Sequence, residues 1–222
     1  MKNGLEDILR DGAAQLGITL TEEAIERFFI YLTELKKWNQ KINLTSIESD
    51  RDILIRHFLD SMTIYPFVRG SKTVLDMGAG AGFPGIPLKI IAPTLEVTLV
   101  DSVAKKVSFM RHIIRTLGPA PDNTGIHALH SRIEDPAFIE GYKGYFDCII
   151  SRAFSALDLF VGLALPICAT GGRIIAMKGP NTGEELKGMA NVNVVSPAIV
   201  HEVSLPFSDR RTTIIVFEKQ AE

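Results

Sequence analysis

The sequence predicts an α/β fold in which a doubly wound (Rossmann-like), mostly parallel sheet of seven strands follows a helical N-terminal segment. Three observations predict it. Apolar, strand-like segments alternate with helix-like segments from Thr73 onward. The first of these strands ends on an acid and runs into a glycine-rich turn that opens a helix. The last two strands have no long crossover helix between them, which favours an antiparallel hairpin at the end of the sheet.

The residues up to about Met62 are predicted to be helical. Apolar side chains repeat at helical spacing until Gly17, and a second amphipathic segment begins after Thr21. That second segment has two acids in its first turn, where the helix dipole favours negative charge. A further helix is expected over residues 49–62.

Gly70-Ser71 marks a boundary in the sequence pattern. We therefore expect a helical extension over residues 1–70 and a cofactor-binding domain over residues 71–222. Long helices are expected over residues 104–117 and 157–168. The expected strands cover residues 73–77, 96–100, 125–130, 146–151 and 173–178, a segment near 192–200, and residues 212–218.

The most informative motif is the turn Asp76-Met-Gly78-Ala-Gly80-Ala-Gly82-Phe83. Glycine has no Cβ, so the backbone can turn sharply here and approach a ligand closely. The second strand ends on Asp101, where a carboxylate is placed to accept hydrogen bonds from two ribose hydroxyls. Together the turn and the second acid predict a site for a nucleoside cofactor.

The acid Asp76, two residues before the first glycine, favours S-adenosylmethionine as that cofactor. A pyrophosphate would meet a like charge here, whereas an amino group would gain a charge-assisted partner. The pattern Gly80-x-Gly82-x-x-Gly85 also satisfies the dinucleotide fingerprint, so NAD is the alternative. An ordinary glycine-rich turn with no ligand would leave both strand-end acids unexplained.

Seven short segments, taken together, carry a family resemblance. In chain order they are Trp38-Asn39-x-x-x-Asn43-Leu-Thr45, Arg56-His57-x-x-Asp60-Ser61, the turn from Asp76 to Pro87, Leu99-Val-Asp101-Ser102, Ser131-Arg132-Ile-Glu134, Ser151-Arg152-Ala153-Phe154 and Met177-Lys178-Gly179. They resemble the bacterial 16S ribosomal RNA guanine-N7 methyltransferase family, also called glucose-inhibited division protein B. The resemblance extends from about Trp38 to the final strand. It implies a class I S-adenosylmethionine-dependent methyltransferase that acts on 16S rRNA or the small ribosomal subunit.

The resemblance also implies which residues contact each ligand. On the cofactor side, Asp101 would hold the ribose of S-adenosylmethionine. The other cofactor contacts would come from Gly78 and Phe83 in the turn, the pair Ile133-Glu134, and Arg152. On the acceptor side, His57, Arg132 and Lys178 would line the site together with Arg152. For His57 the alternative is a partly buried histidine that orders the end of its helix.

Elimination from the residues themselves leaves an acceptor atom that is already nucleophilic. Amino-group methylation of adenine usually brings an Asp/Asn-Pro-Pro-aromatic loop after the fourth strand, where this chain has Ser151-Arg152-Ala153-Phe154. Carbon-5 methylation of pyrimidines needs a cysteine nucleophile, and neither Cys148 nor Cys168 is placed for it. Guanine N7 needs no general base. Arg152 and Lys178 would then work by binding guanine O6 or a phosphate, and Phe154 or Phe83 would stack on a base or pack in the core.

Composition limits the other classes of function. The 222 residues are 46% hydrophobic with a net charge of −2, so the strongly basic character of many nucleic-acid binders is missing. RNA phosphates would have to meet a local patch formed by Arg132, Arg152, Lys178, Arg210 and Arg211. No apolar run approaches the roughly 20 residues of a membrane span, so we expect a cytoplasmic protein that has no contact with membranes. The cysteines have no histidine at metal-ligand spacing, so we expect no metal site. We also expect a monomer.

Two alternative functions remain open at this point. One is a non-catalytic assembly factor that binds S-adenosylmethionine as a structural ligand and uses its N-terminal helices to hold a partner. The other is a small-molecule methyltransferase in which those helices form a lid. The cations expected at the acceptor side favour the enzyme over the non-catalytic binder, which has no need of them beside an open methyl group.

Overall fold

The computed structural model describes residues 2–118, 125–152, 154, 156–179, 182–188 and 195–220. Before the sheet, the chain is helical, as predicted. The expected helix over residues 49–62 is confirmed, although its middle six residues form a wider π-helix. The helices and their bounds are α1 Lys2–Gln15, α2 Glu22–Ile42, α3 Asp50–Ile53, the π-helix Leu54–Leu59, α4 Asp60–Met62 and α5 Tyr65–Val68.

The sheet has seven strands in the order β3-β2-β1-β4-β5-β7-β6. All pairings are parallel except those of β7, which is antiparallel to both β5 and β6. This confirms the mostly parallel sheet and its closing hairpin. The strands are β1 Thr73–Met77, β2 Glu96–Asp101, β3 Ile126–His130, β4 Phe146–Arg152, β5 Cys168–Lys178, β6 Ile199–Ser204 and β7 Arg211–Glu218.

In the described parts of the connections between strands there are five further helices. They are α6 Gly85–Ile91, α7 Ala104–Thr116, α8 Pro136–Gly141, α9 Leu157–Ala164 and α10 Gly183–Gly188. No helix in the described part of the chain is both long enough and apolar enough to cross a membrane.

The prediction of one long helix over residues 157–168 is wrong at its C-terminal end. Helix α9 stops at Ala164, and β5 already begins at Cys168, five residues before the predicted start at 173. Pro166 explains the difference, because proline lacks the amide hydrogen and clashes with the preceding helical turn. The strand expected near 192–200 falls partly outside the described residues, and the described strand in this region is Ile199–Ser204.

Hydrophobic side chains pack on both faces of the sheet, as the alternation of strands and helices requires. Val74 points into a cluster that includes Phe28 and Phe58 of the N-terminal helices, whereas its neighbour Leu75 points into a second cluster against α9. The N-terminal helices therefore share a core with one face of the sheet. The division of the chain into residues 1–70 and 71–222 stays a prediction.

The strand order places a ligand crevice at one edge of the sheet. Chain order reverses between β1 and β4, which are neighbours and parallel. In such sheets, ligands bind beyond the carboxyl ends of the strands at this reversal. The glycine turn after β1 and the end of β4 at Arg152 both lie there.

Candidate active site

The glycine turn after β1 is held by backbone hydrogen bonds to β2. Gly78 N donates to Val100 O at 2.9 Å, and Gly80 N donates to Asp101 Oδ2 at 2.9 Å. Gly78, Gly80 and Gly82 have φ values of 74°, 62° and 93°, a region that other residues rarely adopt. The turn is therefore a fixed loop whose path depends on glycine.

Asp76 lies under this turn and is fully buried. Its Oδ2 accepts a hydrogen bond from Gly85 N at 2.8 Å, whereas its Oδ1 has no hydrogen-bond partner among the described residues. Burial raises the pKa of the Asp76 carboxyl to about 7, against the lowering effects of the Gly85 amide and Arg152. A buried carboxylate oxygen without a partner fits the ammonium group of the methionine part of S-adenosylmethionine.

Asp101, at the end of β2, uses both carboxylate oxygens. Besides the bond from Gly80 N, it accepts one from Val103 N to Oδ1 at 2.8 Å. Each carboxylate oxygen has a second lone pair, so Asp101 can still accept from hydroxyl groups. It lines a cavity of about 150 Å³ at the carboxyl edge of the sheet. The other residues lining this cavity are Gly78, Val100, Ser102, Ser131, Arg132, Ile133, Glu134 and Phe154.

This small cavity brings together four of the residues that were assigned to the cofactor, namely Gly78, Asp101, Ile133 and Glu134. Ile133 is buried, and Glu134 is exposed beside Arg132, with Arg132 Nη1 and Glu134 Oε1 3.4 Å apart. Arg132 was expected on the acceptor side, and the structure places it at this cavity instead. Phe154, two residues after the end of β4, also lines the cavity, with its ring near Gly78.

Phe83, the first residue after the three glycines, is buried in a stack of aromatic rings. Its ring centroid is 5.3 Å from that of Tyr31 and 4.6 Å from that of His57. The Tyr31 hydroxyl also donates a hydrogen bond to the Ala81 carbonyl inside the glycine turn. Tyr31 thus ties helix α2 to the turn. Sequence reasoning missed it, since only its helical spacing marked it as a core residue.

His57 is a buried, neutral histidine with both ring nitrogens engaged. Arg152 Nη2 donates to Nδ1 at 3.2 Å, and Nε2 lies 2.7 Å from Thr45 Oγ1. Because Nδ1 accepts, the hydrogen-bond pattern assigns the ring proton to Nε2. Burial, followed by the charges of Arg152 and Arg56, lowers the pKa of His57 to about 3. Such a ring has no free lone pair and is not a general base near neutral pH.

The N-terminal motif around Trp38 holds the partner of His57 in place. Asn39 Nδ2 donates to Thr45 O at 2.8 Å, and Thr45 N donates to Asn39 Oδ1 at 2.8 Å. These two bonds hold the loop that follows α2 against the C-terminal end of α2. The motif therefore positions Thr45 against His57.

Arg152, at the end of β4, contacts both the glycine turn and the N-terminal helices. Its guanidinium lies over the Phe83 ring, with Cζ 4.9 Å from the ring centroid. Its Nη1 donates to Asp60 Oδ2 at 3.2 Å and to Arg56 O at 3.3 Å, and the other Asp60 oxygen accepts from the Thr212 hydroxyl. Asp60 and Thr212 thereby fix the orientation of Arg152.

A larger pocket of about 850 Å³ opens on the other side of Arg152. Lys178 lies in its wall, where Nζ donates to Phe154 O and to Glu185 Oε2, both at 2.7 Å. Four of the five cations expected to share one rim line this pocket, and Arg132 is the exception. The lining residues are Ile47, Arg56, His57, Asp60, Arg152, Met177, Lys178, Gly179, Leu205, Asp209, Arg210, Arg211 and Thr212.

The two cysteines take no part in the site. Cys148 and Cys168 are buried free thiols, and burial raises the pKa of each to about 12. A thiol with so high a pKa is a poor nucleophile. Among the described residues, no group of three His, Cys, Asp or Glu side chains is arranged to hold a metal ion.

The chain is similar to known proteins over most of its length. Residues 24–213 match the family model described as rRNA small subunit methyltransferase G. A ribosomal RNA small subunit methyltransferase G from Geobacter metallireducens is 40% identical, with 100% of both chains covered. A protein of the same name from Geobacter sp. strain M21 is 44% identical over 85% of this chain and 84% of the relative. Another from Myxococcus xanthus is 40% identical, and 97% of each is covered.

Solved structures share the fold at low sequence identity. An O-methyltransferase from Bacillus cereus in complex with SAH has a TM-score of 0.60 and 16% identity, covering 86% of this chain and 90% of that one. Precorrin-6y C5,15-methyltransferase from Geobacter metallireducens has a TM-score of 0.51 and 13% identity, covering 72% and 88% of the two chains. The fold is that of the class I S-adenosylmethionine-dependent methyltransferases.

Proposed function

Because the chain belongs to the rRNA small subunit methyltransferase G family, we propose that it transfers the methyl group of S-adenosylmethionine to N7 of a guanine in 16S rRNA. The observation that carries the proposal is the position of Arg152. Its guanidinium lies over the Phe83 ring of the glycine turn, its charge lowers the pKa of the buried Asp76, and it lines the cationic pocket. A cofactor site and an acceptor site that share one wall are what a methyl transfer requires.

On the cofactor side, the chain binds and orients S-adenosylmethionine. The unpartnered Oδ1 of Asp76 would receive the ammonium group, and Asp101 would accept the ribose hydroxyls. The cavity lined by Ile133 and Glu134 would take the adjoining part of the nucleoside. When bound, the cofactor would supply a methyl group on a sulfonium, which N7 would accept while S-adenosylhomocysteine leaves as the thioether.

On the acceptor side, the chain positions a base and removes no proton. Guanine N7 is an unprotonated acceptor, and its neighbour O6 accepts hydrogen bonds from cations in the same plane. Arg152 and Lys178 have donors in the pocket wall for this purpose. His57 is neutral with both nitrogens bonded, which supports a reaction that works by positioning and not by general base catalysis.

The proposal extends to the setting of the reaction. The substrate would be 16S rRNA or the small ribosomal subunit, and the reaction would take place in the cytoplasm. All residues assigned to the two ligands belong to one chain, so a monomer is sufficient. The chemistry requires no metal ion, because the sulfonium is already an activated leaving group.

The test is transfer of a labelled methyl group to RNA. The purified chain is incubated with methyl-labelled S-adenosylmethionine and either 16S rRNA, intact small subunits, or no RNA. Digestion of the labelled RNA to nucleosides should yield 7-methylguanosine. Because N7 methylation makes the glycosidic bond labile, borohydride and aniline should cleave the RNA at the modified guanine.

Other outcomes would contradict the proposal in different ways. A label on an exocyclic amine, a ribose or a pyrimidine would reject N7 as the acceptor. No labelled RNA, with S-adenosylmethionine still bound in calorimetry, would favour the non-catalytic assembly factor. Transfer to a small molecule in an RNA-free extract would favour the small-molecule methyltransferase.

A further inference from the structure

The turn between β6 and β7 holds an exposed aromatic residue in an unfavourable backbone conformation. Phe207 has a φ of 58°, in the left-handed region, and its side chain is 41% exposed. A bulky residue in this region costs free energy that glycine or asparagine would not. An exposed phenylalanine gains little from burial in return. The position is therefore unexplained by the stability of the fold.

The tip of this hairpin is ordered by local hydrogen bonds. Leu205 N donates to Arg210 O at 3.0 Å, Ser208 N donates to Leu205 O at 3.2 Å, and Arg210 N donates to Ser208 Oγ at 3.1 Å. Arg51 of helix α3 donates from Nη2 to the Phe207 carbonyl at 3.4 Å. The Phe207 ring is thus presented on a braced turn.

The hairpin tip lies at the mouth of the pocket proposed for the guanine. Leu205, Asp209 and Arg210, which flank Phe207 in sequence, all line that pocket. Phe207 is therefore two or three positions away in sequence from residues that line this pocket. With the guanine in this pocket, the RNA nucleotides next to it would pass close to this turn.

Two arginines near Phe207, Arg51 and Arg210, are available to phosphates, although the acid Asp209 lies in the same turn. Neither Arg51 nor Arg210 pairs with a carboxylate in the part of the chain that the structure describes. Arg211, by contrast, pairs with Glu202 at 2.9 Å. An aromatic face beside unpaired arginines is the arrangement that proteins use to hold single-stranded nucleic acid, with bases stacked on rings and phosphates on cations.

We propose that Phe207 is a stacking platform for an unpaired base adjacent to the methylated guanine, with Arg51 and Arg210 holding the phosphates beside it. This inference rests on the proposed function and adds the form of its substrate. The guanine would be taken from a single-stranded or looped segment, since a neighbouring base must be unstacked from the RNA to lie on the ring.

The test compares two substitutions with opposite effects on stacking and strain. Phe207→Gly removes the ring and suits the left-handed backbone, so the variant should fold at least as stably as the parent. Its affinity for 16S rRNA should nevertheless fall by roughly 5- to 150-fold, the effect of one lost base–aromatic stack. Phe207→Tyr keeps the ring and should bind like the parent. Turnover at saturating RNA and the affinity for S-adenosylmethionine should change in neither variant.

Tyr145→Gly is the matched control. Tyr145 is 49% exposed and immediately precedes β4, at the opposite end of the parallel strands from the pocket. Once the methylated guanine is mapped, 2-aminopurine can be placed beside it in the RNA. Its fluorescence should be quenched when the RNA binds the parent or Phe207→Tyr, but not when it binds Phe207→Gly. If the parent is active but Phe207→Gly binds RNA with the parent's affinity and still quenches 2-aminopurine, the stacking proposal would be overturned and the proposed function would stand. Loss of affinity only for whole subunits would assign the ring to a ribosomal protein and also overturn it. An inactive parent would instead reject the proposed function.

Discussion

Arg152 donates a hydrogen bond to Nδ1 of His57, across 3.2 Å from its Nη2 atom. This bond joins the end of β4 to the π-helix of the N-terminal segment and occupies the only lone pair that the imidazole offers. The same guanidinium and the same imidazole both lie against the Phe83 ring. The glycine turn, the N-terminal helices and the acceptor pocket therefore meet at one pair of side chains.

The first prediction concerns pH. At saturating cofactor and RNA, kcat should stay flat between pH 6 and 8, because the lowered pKa of His57, about 3, leaves the ring neutral throughout. The KM for S-adenosylmethionine should instead fall roughly eightfold between pH 6 and 7.5, as Asp76, with a pKa of about 7 in the free protein, becomes the carboxylate that holds the ammonium.

Steady-state kinetics across this pH range would check both parts, and Asp76→Asn is the control. That variant should bind the cofactor weakly with no pH dependence of KM over the same range. A sigmoidal rise of kcat near pH 6.5 in the parent would show that an ionisable base takes part, and would contradict the assignment of His57 as a neutral positioning group.

The second prediction concerns Asp101. Asp101→Asn should weaken S-adenosylmethionine binding by roughly 10- to 150-fold, because hydrogen bonds to a charged group contribute about 1.5–3 kcal/mol. Isothermal calorimetry of the folded variant would measure the change. Unchanged affinity would remove Asp101 from the cofactor site.

Asp147→Asn is the matched control for this substitution. Like Asp101, Asp147 accepts hydrogen bonds from two backbone amides, those of Lys72 at 2.9 Å and Thr73 at 3.0 Å. It lies at the opposite end of the parallel strands. Its substitution should lower thermal stability and leave cofactor affinity unchanged.

The third prediction concerns Lys178. Lys178→Ala should raise the KM for RNA and flatten the salt dependence of RNA binding by about one unit of slope, as expected for one lost phosphate contact. Lys143→Ala, at an exposed lysine near the amino-terminal end of β4, should change neither quantity. RNA turnover by Lys178→Ala at the parent rate and KM would contradict its place at the acceptor site.

Glu185 offers a second test of the same residue. Its carboxylate accepts a hydrogen bond from Lys178 Nζ at 2.7 Å, so it competes with a phosphate for this cation. Glu185→Gln keeps the side-chain shape and removes the competing charge. RNA affinity measured by filter binding should therefore rise in this variant, with no change in cofactor affinity.

The fourth prediction concerns Tyr31. Tyr31→Phe leaves the buried Ala81 carbonyl without its hydrogen bond and should cost about 1–3 kcal/mol of stability. Because the bond braces the glycine turn, cofactor affinity should fall as well. Denaturant unfolding and calorimetry would measure the two effects.

Tyr65→Phe is the control for this change, since the Tyr65 hydroxyl makes no hydrogen bond within the described residues. It should leave both stability and cofactor affinity near those of the parent. If Tyr31→Phe bound the cofactor as the parent does, the tyrosine would be a core residue with no influence on the turn.

Local sequence patterns predicted most of the architecture. Strand β1 begins and ends at the predicted residues, and the antiparallel hairpin of β6 and β7 follows from the missing crossover helix. The same reasoning failed at Pro166, where an apolar run was assigned to one helix through a residue that ends helices. Hydrophobic content alone does not separate a buried strand from a buried helix.

The candidate site was predictable only in part. Asp76, the glycines and Asp101 stand in one local motif, whose spacing specifies their chemistry. Arg132 was expected beside the acceptor, but it lines the smaller cavity. Tyr31 and Thr212 come from distant parts of the chain, and no local pattern linked them to the site.

The sequence by itself determined the order of strands and helices, the glycine turn and the two strand-end acids, because each depends on neighbouring residues and on backbone conformation. Only the tertiary structure decided three properties of the site. They are the protonation of His57, the lack of a hydrogen-bond partner for Asp76 Oδ1 among the described residues, and the position of Arg152 between Phe83 and the acceptor pocket. These properties arise from burial and from hydrogen bonds between residues as far apart as Asp60 and Thr212. They exist only when the folded chain removes water from those groups and brings their partners together.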